Sequence, residues 1–108
     1  MDTIKRAIYL RAREIVVEQG ELRHSHGGHL CHVLRMATDD VLGKRNTAEH
    51  QDTHEFICEF FPEFMALYDG WYWPNNAVRA LPTEPSAAWW ESFWNAPRLC
   101  MIDYLLSR

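Results

Sequence analysis

The sequence predicts an all-α fold, a small bundle of about five helices in one domain covering residues 1–108. Three observations predict it. Apolar residues recur at three- and four-residue spacing through several segments. Gly and Pro stand at the ends of those segments. The one short strand candidate, Trp71-Tyr72-Trp73, has no visible sheet partner and runs into Pro74, Pro82 and Pro85.

The first helix is expected from Thr3 to Gln19. Asp2 or Thr3 can cap it, and Gly20 can end it in the left-handed conformation. Ile4, Ala7, Ile8, Ala12 and Ile15 form its apolar face. Arg11 intrudes on that face, with its stem along the core and its head in water. A loop from Gly20 to Gly28 leads to the second helix, His29 to Leu42, which Gly43 stops. Leu30, Leu34, Ala37 and Val41 are its apolar stripe.

The third helix is expected to open at Asn46, with Glu49 at capping-box spacing, and to run to Phe61. Pro62 must interrupt it there, because proline has no N–H to donate. Ile57, Phe60 and Phe61 share one face, and Asp52, Glu55 and Glu59 lie on the opposite arc. A short helix from Pro62 to Asp69 follows, with Gly70 as its stop. Trp71 to Pro85 reads as an irregular Trp/Pro-rich loop between the third and fourth main helices. The fourth runs from Ser86 to Trp94. The fifth starts near Pro97 with Asn95 as its cap and is apolar nearly all round, interrupted only by Arg98 and Asp103. A helix without a polar face is usually the central one, or one that a partner covers.

Composition narrows the function classes. The net charge of −4 argues against a surface built to hold nucleic acid or anionic lipid. No run approaches the ~20 apolar residues of a membrane span. Met1 to Glu14 mix charged and apolar groups, unlike a signal peptide. Cys31, Cys58 and Cys100 are too few and too widely spaced for a disulfide framework, so a reducing cytoplasm is the expected location.

All six histidines lie between His24 and His54. His50 and His54, four apart on the expected third helix, would form a bidentate clamp for zinc, with further ligands from His24, His26 or His29. The same residues are read first as loop polar groups and hydrogen-bonded histidines at the core edge, with the zinc clamp as the alternative. Gln51 stands where the glutamate of a zinc-protease helix would be, and no CxxC half-site is present. Cys58 and His54 have the helical spacing of a thiol–imidazole pair, but nothing adjacent supplies an oxyanion site.

The aromatic content is the stronger anomaly. Five Trp, five Phe and four Tyr are a large supply for a chain that buries roughly two-thirds of its surface. Trp71, Trp73, Trp89, Trp90 and Trp94 are candidate anchors for a protein partner or for self-association. Glu55, Glu59 and Glu63 would supply an electrostatic rim.

Two segments carry a resemblance. Gly28-His29-Leu30-Cys31-His32-Val33-Leu34-Arg35-Met36-Ala37 looks like a Gly-x-x-Cys segment opening an apolar helix. Phe93-Trp94-Asn95-Ala96-Pro97-Arg98-Leu99-Cys100-Met101-Ile102 resembles a Trp-Asn…Arg segment leading into a terminal helix. Together, about a fifth of the chain, they are similar to short helical proteins of tailed phages and some bacteria. That resemblance implies a small accessory protein that binds a host or defence component, in the manner of an anti-CRISPR inhibitor. The expected function is therefore non-enzymatic protein binding, with a zinc-binding domain or a small ligand-binding enzyme as alternatives and no cofactor other than zinc in view.

Overall fold

Capping chemistry sets the first helix. In the computed structural model, α1 spans Thr3–Gln19, and the Asp2 carboxylate accepts the Lys5 N–H at its start. Gly20 ends it with φ +67°, its N–H donating to the carbonyls of Val16 and Val17. The structure describes residues 1–20, 30–43, 52–71 and 95–108, of which 67–71 and 95–97 by backbone alone. Five helices occur among the described residues, with no strand, so the fold is all-α. The rest of the Trp/Pro-rich loop and the expected helix over 86–94 lie outside them.

α2 spans Leu30–Leu42, and Gly43 follows at φ +102°. α3 spans Thr53–Phe60 and begins later than expected. Asp52 is extended, at φ −130° and ψ 158°, and its carboxylate accepts the Glu55 N–H at 2.6 Å. A helix running unbroken from Asn46 to Phe61 is therefore excluded. Asp52 and Glu55 themselves have capping-box spacing, a second start signal within the same segment.

α4 spans Pro62–Trp71. Phe61 joins it to α3 at φ −132° and ψ 56°, outside the α region that proline disfavours for the residue before it. Its N–H donates to Ile57 and its carbonyl accepts from Met65, so one residue closes α3 and opens α4. Gly70 does not stop α4, and Trp71 is its last helical residue rather than part of an extended loop. α5 spans Asn95–Leu106 and starts two residues before the expected point, with Pro97 tolerated in the first turn.

α1 is the hub. α2 and α5 both pack on it, α3 packs on α2, and α4 follows α3. Among the described helices, α5 packs on α1, where it buries Met101, Ile102 and Leu105. The buried face of α1 is rotated from the expected one. Tyr9 and Val16 are fully buried beside Ile8, Ala12 and Ile15, while Ile4 is exposed. Leu30, Val33, Leu34 and Ala37 of α2 complete the core with Phe56, Ile57, Phe61 and Phe64. Each large apolar side chain so buried contributes about 1.5–3 kcal/mol. No helix among the described residues is long and apolar enough to cross a membrane.

Candidate functional site

The junction of α1, α2 and α3 leaves an apolar groove of about 300 Å³. Ile4 and Ile8 line it from α1, Thr38 and Leu42 from α2, and Phe56 and Phe60 from α3. Ile8 and Phe56 are its buried floor. Its rim stays in water: Ile4 is 56% exposed, Leu42 46% and Phe60 44%. Phe60 sits 5.1 Å, centroid to centroid, from Phe56, so the exposed ring extends a buried aromatic row. Glu55 and Glu59 are exposed on the same helix.

A second groove, of about 430 Å³, lies where the start of α1 meets α4 and the end of α5. Two of its polar side chains, Lys5 and Glu63, are paired within the chain. The Tyr9 hydroxyl donates to Glu63 Oε1 at 2.5 Å, and Lys5 Nζ lies 3.1 Å from the same oxygen. Lys5 also sits over the Phe61 ring at 5.2 Å. Burial, then the hydrogen bond to Glu63 and its charge, push the Tyr9 hydroxyl well above its ordinary value. This is a hydrogen-bonded brace between α1 and α4. Glu63, expected at the rim of a partner site, takes part in that brace and stays partly exposed.

No family model, curated protein or solved structure matches this chain.

A third polar group gathers around Arg11. Its guanidinium meets Asp40 at 2.9 Å, Glu14 at 3.1 Å and Glu18 at 3.2 Å, which holds it more firmly protonated than usual. Three carboxylates around one cation leave this side of α1 and α2 acidic. Its head is in water, as expected for this residue.

Of the histidines proposed as ligands, His54 is described, and it is exposed on α3. His24, His26, His29 and His50 lie outside the described residues. The helical pairing of His50 with His54 needed a helix through Asp52, which is extended. Among the described residues, no three His, Cys, Asp or Glu side chains converge as a metal group would. One pair does form: Cys58 Sγ lies 3.4 Å from His54 Nε2, both side chains exposed. Trp71 is described by its backbone as the end of α4, and Trp73, Trp89, Trp90 and Trp94 lie outside the described residues.

Sequence reasoning missed the groove because its parts are scattered. Ile4 was read as core, and Leu42 was read only as the end of α2. Phe60 was read as one of three residues on a buried face. Nothing local distinguishes an apolar residue at a groove rim from one beneath it.

Proposed function

We propose that this chain is a non-enzymatic protein-binding domain whose docking surface is the groove between α1, α2 and α3. One observation carries the reading: Ile4, Leu42 and Phe60 hold large apolar surface in water around a preformed concavity. Water contact of that kind is unfavourable, and a partner side chain in the groove relieves it. Glu55 and Glu59, exposed on another arc of α3, belong to the proposal as an acidic field that draws in a basic partner without touching the groove. The tryptophans Trp71, Trp73, Trp89, Trp90 and Trp94 belong to the same proposal as further anchors. Inhibition of a host or defence component by a phage-encoded copy is the biological setting that the sequence resemblance suggests.

The test pairs Leu42→Ser with Phe60→Ser in one variant. Both side chains are partly solvated, so the variant keeps the wild-type helical signal and unfolds within a few degrees of it. Crosslinking in cells, followed by quantitative mass spectrometry, compares what each form captures. A specific protein captured by the wild type and lost from the variant is the expected result, with association slowing as salt rises. Identical capture by both forms, or no specific capture by either, rejects this surface.

A further inference from the structure

His54 and Cys58 stand one turn apart on α3, both in water, with imidazole Nε2 and thiol Sγ separated by 3.4 Å. That distance has a coordination meaning. Zinc bonds of about 2.3 Å to sulfur and 2.0 Å to nitrogen, at a tetrahedral angle, place the two donors about 3.5 Å apart. The side chains already hold the bite of a zinc chelate. Their helix is fixed at one end by the Asp52 cap and at the other by the Phe61–Pro62 junction, so little ordering remains to be done. Glu55 and Glu59 are exposed on the same helix and raise the local concentration of cations.

Two donors satisfy half of a tetrahedral site. Among the described residues of the chain, no third ligand joins them. Because the pair is exposed, a second copy related by two-fold symmetry can present the same nitrogen and sulfur to the same ion. We propose that His54 and Cys58 bind a zinc-class divalent cation that bridges two copies of this chain in a Cys₂His₂ site. Thiolate with imidazole is a donor set that suits zinc over magnesium or calcium. Each cysteine gives up its thiol proton to solvent on binding, so two protons leave per bridged pair.

The site is separate from the proposed docking groove. At about 100° per residue, Phe60 lies roughly 120–160° around α3 from His54 and Cys58. The two readings therefore fail independently.

The experiment titrates metal-stripped, untagged full-length protein with Zn²⁺ under native mass spectrometry. The expected species contains two chains and one zinc ion, and a chelator returns it to monomer. His54→Ala and Cys58→Ser each weaken zinc affinity roughly tenfold or more and abolish the bridged species. Both residues are exposed, so circular dichroism of the metal-free variants matches the wild type. Cys31→Ser retains the bridged species. Cobalt in place of zinc gives the intense visible absorption of a tetrahedral thiolate site, absent from Cys58→Ser. A bridged species that survives both substitutions belongs to other donors and overturns the proposal. So does zinc bound one to one without pairing, or no binding at tens of micromolar zinc.

Discussion

Tyr9 is the residue on which the polar interior turns. It is fully buried, yet its hydroxyl reaches a carboxylate 54 positions away in the chain. Below about pH 10, the ordinary tyrosine value, the folded and unfolded chains both hold the phenolic proton. Above it, the unfolded chain loses that proton while the folded chain keeps it, because its own value is raised. The native state then binds more protons, so stability falls as pH rises. Urea unfolding between pH 9 and 11.5 should show this loss, at up to about 1.4 kcal/mol per pH unit from Tyr9. Tyr9→Phe should flatten the profile. It should also lower stability at pH 7 by about 1–2 kcal/mol, the low end for a hydrogen bond to a charge, because water still reaches Glu63. The hydrogen bond was not legible in the sequence. Tyr9 lies beside the expected apolar face rather than on it, and nothing near Glu63 marks it as a brace instead of a surface acid.

At the scale of the element, helix ends were legible where one residue decides them. Asp2 and Gly20 bound α1, and Gly43 follows α2, as their cap and turn chemistry predicts. Gly20 also supplies a test of backbone strain without steric conflict. A Cβ built there meets nothing within 4 Å, but the backbone stands at φ +67° and ψ −142°, a region essentially reserved for glycine. Gly20→Ala should therefore destabilise by about 1–3 kcal/mol, read as a lower urea midpoint at unchanged slope. No change would mean that the end of α1 relaxes freely. The start of α3 was misread because two signals compete within one segment. Asn46 with Glu49 and Asp52 with Glu55 have the same spacing, and spacing alone does not rank them. Gly70 shows the opposite failure: a glycine marks a permitted stop, and α4 passes through it.

For the whole molecule, the decisive contact joins the start of α5 to the end of α1. Arg98, near the start of α5, is fully buried. Its guanidinium donates to Gln19 Oε1 at 2.7 Å and to the Gly20 carbonyl at 3.1 Å. It thus caps the C-terminus of α1, where the helix dipole favours a cation. Farther along the same interface, Arg13 pairs with Asp103 at 2.8 Å, and Arg6 donates to the Leu106 carbonyl. Those outer contacts are exposed and contribute little, about 0–1 kcal/mol each. Arg98→Ala should cost about 2–4 kcal/mol, because it strips the packing of a fully buried side chain and both charge-assisted hydrogen bonds to the partly buried end of α1. Arg98→Lys should recover less than half of that, since an ammonium cannot reproduce the planar two-point contact. Thermal and urea unfolding of the two variants check both statements.

The sequence by itself determined the helical class and the boundaries of α1 and α2 to within a residue. Those features follow from local chemistry: side-chain periodicity, an aspartate cap, glycines that accept positive φ, and a proline that cannot donate. The tertiary structure alone decided which helix is the hub, which arc of α1 is buried, and that Glu63 faces Tyr9 and Lys5. It alone decided that Ile4, Leu42 and Phe60 surround one groove. Each of these depends on residues tens of positions apart meeting in space, and periodicity along one helix carries no record of what packs against it.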